Sequence, residues 1–226
     1  MAGIFQSNES SEENWMSVSD LMAGLMVVFL FVAIVFIKGV GQEQKRLEKS
    51  ICEELNQAMK EVSWRDQVEI CDDEIVVKFN DPDALFGVNK SVLKPKFRSM
   101  LSDFFPRYMD VVGKYQVEID EVRIEGHTDD TGLRSNRTKL DKYFYNMGLS
   151  QRRTRAVMEF VFDTQTARNN ETWLISNMTA NGMSSSDPVL NDAQLIDRKM
   201  SRRVEFRIRL KTPRRLREIA SAFDAG

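Results

Sequence analysis

The sequence has little with which to build metal or redox chemistry. Its 226 residues include two cysteines, Cys52 and Cys71, and a single histidine, His127. Structural zinc needs four thiolate or imidazole ligands, so no closed set can be assembled and no metal site is expected. A disulfide between the two cysteines requires an oxidising compartment, which makes it a question of topology. With 11 Gly and 5 Pro the chain is neither collagen-like nor proline-rich, and 42% hydrophobic with 29% charged residues is the balance of a folded protein. Thirty-two basic against 34 acidic residues leave a net charge of −2, so no global basic excess points to nucleic acid. His127, Thr128 and Asp129 adjoin in sequence but do not make a catalytic triad, so neither an enzyme nor a cofactor is expected.

What is present is segregated along the chain. Residues 21–37 read LMAGLMVVFLFVAIVFI without a charge, and adding residues 18–20 makes a stretch of twenty. At 1.5 Å per residue that helix is about 30 Å long, the thickness of a bilayer hydrocarbon core. A cleavable signal would start with basic residues and end in a small-residue site; residues 1–17 contain Glu9, Glu12 and Glu13 but no Lys or Arg, and Lys38 follows the run directly. The reading is an uncleaved transmembrane helix over 18–37 behind a tail of residues 1–17. Lys38, Lys45, Arg46 and Lys49 follow it, so the positive-inside rule alone places the C-terminal side in the cytoplasm.

Asp20 stands at the start of the apolar run, with Ser17 three residues earlier on the same helix face. An ionised Asp at the centre of a spanning helix costs about 2.5–3.5 kcal/mol, so such a residue usually serves a function. Two readings stand: Asp20 carries a cation or proton, helped by the Ser17 oxygen, or it caps the helix start at the interface.

Residues 38–66 form a charged helix or linker in which Leu47, Ile51, Leu55, Ala58 and Val62 recur every three or four positions, one apolar stripe for a partner helix or for the chain's own domain. From residue 67 the pattern is that of an α/β domain. A strand or hairpin is expected over 67–79, helices over 93–112 and 150–162 with Ser150 as N-cap, and strands over 117–125 and 173–180. A short helix over 193–200 and a half-buried strand over 203–210 follow. The order predicts a two-layer α+β domain, helices on a mixed sheet, over 67–211, and then a tail of residues 212–226. Basic residues crowd Arg198–Arg217; strand alternation accounts for most of them, and specific nucleic-acid binding is not expected.

Two sets of motifs resemble known families. WMSVSDLMAGLM, residues 15–26, resembles the start of MotB-type stator subunits, whose single helix carries an ion-binding Asp, here Asp20; Ala23 stands where flagellar members commonly have Thr. IEGHTDDTG at 124–132, then Asn146, Leu149, Ser150 and Arg153, then Pro188 and Asn191, and SRRVE at 201–205 resemble the OmpA-like peptidoglycan-binding domain, together with Leu85, Phe86, Leu93 and Pro95. Ser201 replaces that family's usual Asn, and the segment between Gly132 and Leu149 is longer than usual.

The resemblance implies a pocket for the zwitterionic end of diaminopimelate, with Asp129 on its ammonium, Arg153 on its carboxylate, and the Thr128 backbone and Asn146 adding hydrogen bonds. Arg203 would brace the Asp129 loop or contact the peptide. It also implies a periplasmic C-terminal domain and a cytoplasmic N-terminus in the bacterial inner membrane, against the charge rule, and hence a disulfide clamping Cys52 to Cys71. A stator subunit of this kind would form a homodimer within five copies of a larger MotA-like membrane subunit, bind peptidoglycan, and conduct H+ or Na+ through Asp20. The short acidic tail and short linker resemble the stators of anti-phage defence more than flagellar ones; a flagellar stator and a passive wall tether are the alternatives.

Overall fold

The computed structural model describes residues 9–71, 74–81, 85–87, 89–132 and 138–211, with the backbone alone for 9–17 and 40. The chain divides into two compact units, the second running over Leu47–Thr212.

The first unit carries most of helix α1 (Glu9–Ala58), which passes the expected boundaries at 17/18 and 37/38 without a break. Its large apolar side chains point outward on all sides, Leu21, Met26, Phe29 and Phe31 among them. A helix apolar all round and uncovered by protein suits lipid, and this one is long and apolar enough to cross a membrane.

In the second unit the last turns of α1 bury the predicted stripe in the chain's own core. Ile51, Leu55 and Met59 are fully buried, Val62 nearly so, and Leu47 and Ala58 pack against them, so the partner for this stripe is intramolecular. Cys52 is joined to Cys71 by a disulfide. Glu54 accepts hydrogen bonds from Lys114 Nζ at 2.6 Å and Tyr115 Oη at 2.5 Å, and Trp64 Nε1 donates to Asp103 at 3.0 Å.

The sheet has the order β1-β2-β5-β3-β4. β1 (Val68–Ile70) and β2 (Val76–Phe79) pair antiparallel as the expected hairpin; Asp72 and Asp73, between them in sequence, lie outside the described residues. β5 (Val204–Leu210) runs antiparallel to both β2 and β3 (Ile119–His127), and β4 (Met178–Ser184) pairs parallel with β3 at the far edge, making the sheet mixed. α2 (Pro95–Val112) packs Phe97, Phe104 and Tyr108 against Phe79 and Phe206. The rings of Phe104 and Phe206 meet edge to face at 4.9 Å, an orientation aromatic quadrupoles favour.

Three local expectations differ from the structure. Helix α3 spans Lys139–Phe162, starting eleven residues before Ser150, because Thr138 and Asp141 form a reciprocal capping box that satisfies the free N–H groups there. Ser150 is buried in the helix interior. Residues 173–177, expected as strand, belong to the short helix α5 (Glu171–Asn177), which follows α4 (Gln165–Asn169) and buries Leu174; the strand starts only at Met178. The expected helix over 193–200 shrinks to α6 (Arg198–Ser201), capped by the Asp197 carboxylate.

Candidate functional site

The pocket forms where β3 ends and α3 crosses above it. Gly126 and Gly182 face each other in the β3–β4 register, and a Cβ on either would collide with α3: 2.7 Å from Thr154 Cγ2 at Gly126, 2.4 Å from Gln151 N at Gly182. Two glycines therefore let the helix lie directly on the strands. Ser150 sits at that contact, and its Oγ accepts a hydrogen bond from Ser184 N at 3.1 Å. One turn to either side, α3 presents Asn146 and Arg153 to a cavity of about 210 Å³. The loop after β3 supplies Asp129, the entry to β5 supplies Arg202, and the segment before α2 supplies Leu85, Phe86 and Gly87. That last segment is held by the Phe86–Leu93 bridge and by Lys94 N donating to Leu85 O at 3.0 Å.

Asp129 is almost wholly buried yet fully engaged. Its Oδ1 accepts from Thr131 N at 3.0 Å and from the Thr131 hydroxyl, and its Oδ2 accepts from Arg202 Nη1 at 2.7 Å. Asn146 shapes this loop: its Nδ2 donates to Asp129 O at 3.0 Å and Thr131 O at 2.7 Å. Its Oδ1 would lie 2.5 Å from a Cβ at residue 132, where the chain takes φ +117°, so glycine is required there.

Arg153 has the opposite character. Its Nε donates to Lys90 O at 3.0 Å, its Nη2 reaches Gly87 O at 3.4 Å, and its guanidinium lies 4.9 Å over the Phe86 ring. Carbonyls and a ring face hold the group in place but leave its charge without a carboxylate among the described residues. Burial, with the Arg202 charge nearby, pushes its pKa down to about 10, Asp129 pulling the other way. A half-buried guanidinium of this kind is an anion-binding group in waiting.

The other expected residues fall into supporting places. The Thr128 N–H is not free for a ligand, because it donates to Ser184 O at 2.8 Å; the buried Thr128 hydroxyl, which has no partner among the described residues, lines the cavity instead. Arg203 is a brace: Nε donates to Glu205 at 2.5 Å and Nη2 to Asp187 at 2.6 Å. His127 turns its Nε2 toward Glu125, 3.6 Å away, and Glu205, 3.9 Å away. These three residues bring ligand atoms within 4.8 Å of one another, but Arg203 and Arg207 already occupy the two Glu205 oxygens, which makes the group a charge-compensated cluster beside the cavity that His127 lines. Arg202 was the residue that motif reading passed over.

Several basic residues toward the end of the described chain are held by partners. Arg198 pairs with Asp130, Arg207 with Glu74 and Glu205, and Arg209 with Asp120, while Lys211 donates to Val117 O. Residues 212–226 lie outside the described residues.

Asp20 lies on the exposed surface of α1, eleven residues beyond the first residue, Glu9. Backbone N–H groups at that depth already bond within the helix, so Asp20 is not its N-cap. The Ser17 side chain lies outside the described residues.

The mixed sheet with helices packed against it has the fold of a solved MotB-like protein. A MotB-like protein from Desulfovibrio vulgaris superposes with a TM-score of 0.54 at 19% identity, covering 75% of this chain and 98% of that one. No protein-family model matches the chain. A curated Zorya protein ZorB from Escherichia coli is 37% identical over 221 residues, 93% of this chain and 94% of the relative, and a ZorB from a second Escherichia coli strain is 26% identical over 71% of this chain and 65% of its own length. The chain belongs to the ZorB family of Zorya proteins.

Proposed function

We propose that this chain is the wall-anchored, ion-conducting stator subunit of a rotary membrane complex in anti-phage defence. The observation that carries the wall-binding part is that a buried carboxylate, Asp129, and a half-buried guanidinium, Arg153, which has no carboxylate partner among the described residues, line one cavity of about 210 Å³. Diaminopimelate in a peptidoglycan stem peptide ends in an ammonium and a carboxylate on one carbon. Such a group needs one fixed anion and one fixed cation at short separation. Asp129 takes the ammonium, Arg153 the carboxylate, and the Thr128 hydroxyl a remaining hydrogen bond, while Asn146 and Arg203 hold the walls.

Peptidoglycan lies outside the inner membrane, so the domain of residues 67–211 is periplasmic, the tail of residues 1–17 is cytoplasmic, and the span over 18–37 crosses once. An oxidising periplasm also accounts for the Cys52–Cys71 disulfide. Asp20, the acidic residue at the start of the apolar, outward-facing segment over 18–37, then carries H+ or Na+ past a larger MotA-like partner, five copies around a dimer of this chain. Alternate loading and release at Asp20 shifts the partner between states against the anchored domain. The Zorya name of the curated relatives supports defence over motility as the purpose of that motion.

Retention of the full-length protein by purified peptidoglycan tests the anchor. Asp129→Ala and Arg153→Ala should each lower retention about tenfold, the loss expected for a charge-assisted hydrogen bond. Unchanged retention in both variants would overturn the pocket.

A further inference from the structure

Two guanidinium groups, Arg153 and Arg202, face one carboxylate, Asp129, across the cavity. Arg203 also lines it, but Glu205 and Asp187 already compensate that charge. Among the described residues the pocket thus carries one positive charge more than a simple zwitterion would neutralise. Arg202 is also the group a ligand ammonium must displace, since its Nη1 holds Asp129 Oδ2 at 2.7 Å while Thr131 holds Oδ1. Its side chain is 37% exposed, against 7% for Asp129, so it is the partner with room to move.

We propose that Arg202 is a specificity-determining residue that selects ligands with a second carboxylate beside the zwitterion. In the empty pocket Arg202 stands in for the ligand ammonium and keeps the buried Asp129 paired. When an ammonium takes that place, the freed guanidinium needs an anion of its own, and a ligand that supplies one avoids leaving Arg202 and Arg153 as two like charges in one cavity. A diaminopimelate residue at a free peptide end has such a group, the carboxylate on its peptide-linked carbon. A diaminopimelate whose peptide-linked carboxyl is amidated, or continues into further residues, does not. Uncrosslinked tripeptide ends of the wall are therefore the preferred anchor. This proposal rests on the wall-binding reading of the same pocket.

The test is calorimetric titration of the detergent-solubilised full-length protein with two soluble stem tripeptides ending in diaminopimelate, one with the peptide-linked carboxyl free and one with it amidated. The wild-type protein should bind the free form about tenfold more tightly. Arg202→Gln should erase the ratio, binding the amidated form a few-fold more tightly than wild type because Asp129 is no longer held. Arg202→Lys, which keeps the charge and the fold, should retain part of the preference. No preference in wild type, or the same preference in Arg202→Gln, would overturn the role of Arg202. Loss of both ligands in Asp129→Ala and Arg153→Ala alongside that result would leave the pocket itself standing; unchanged binding in those two variants would instead remove the wall-binding reading from which this one starts.

Discussion

Gly126 and Gly182 lie opposite each other on neighbouring parallel strands, and together they carry the contact that aims α3 at the pocket. Ser150 fills the space above them, so Asn146 and Arg153 owe their positions to two residues that have no side chain.

Gly182→Ala should therefore destabilise the domain by about 1–3 kcal/mol, the usual cost of forcing an extra methyl into a packed contact. Its Cβ would stand 2.4 Å from the Gln151 backbone, which cannot swing aside as a side-chain tip can. Gly113→Ala is the control, because nothing lies within 4 Å of the added methyl. Thermal unfolding of the two variants measures the difference, and equal melting temperatures would show that α3 rides higher on the sheet than described.

The disulfide closes a loop across a sequence separation of 19 between the end of α1 and the turn after β1. Restricting the unfolded chain in this way stabilises by about 3 kcal/mol on the loop-entropy account. Denaturant unfolding of the wild type should shift to lower midpoint when a reductant is added, and the Cys52→Ser/Cys71→Ser double variant should match the reduced protein and ignore the reductant. Alkylation followed by mass measurement reports whether the cysteines are paired in cells.

Glu54 predicts an acid limb. Its hydrogen bonds from Lys114 and Tyr115 hold its pKa below the ordinary carboxylate value. A carboxyl with a lowered folded-state pKa adds stability that is present above the unfolded pKa, about 4.3 for Glu, and is lost as the pH falls through the folded value. Unfolding measured from pH 6 downward should fall less steeply in Glu54→Gln than in wild type; the effect is modest because the pair is partly exposed. Identical acid limbs would mean that the α1 clamp contributes nothing to the pH response.

Asp20→Asn separates a stator from a tether. The substitution keeps the size and hydrogen-bonding capacity of the side chain but removes the titratable charge, so phage resistance of cells carrying the whole system should be lost while membrane insertion and peptidoglycan retention stay at wild-type levels. Resistance that survives the substitution would leave a passive anchor. Loss of motility in place of resistance would move the protein to the flagellar class.

Much of the fold was legible in the sequence. Apolar run length located the long outward-facing helix, alternation located β5, and the spaced motifs named Asp129 and Arg153, which the fold brings to one cavity. The start of α3 was misread because Ser150 is a good N-cap in isolation, whereas the Thr138–Asp141 capping box satisfies more of the free N–H groups. Arg202 stands in the motif at 201–205 but was given no role, because it lies at the bend between α6 and β5, where periodicity does not say which way a side chain points.

The sequence by itself determined the long apolar helix, and helix α2 and the strands β3 and β5 to within a few residues, because those follow from periodicity and apolar length within a few tens of residues. Tertiary structure alone decided that β5 inserts between β2 and β3, and through that insertion that Arg202 reaches Asp129 across 73 residues. It also decided that the stripe at the end of α1 serves the chain's own core. Periodicity states that a face must be buried; only the packing of distant elements, each covering another's apolar surface and satisfying another's charge, states against what.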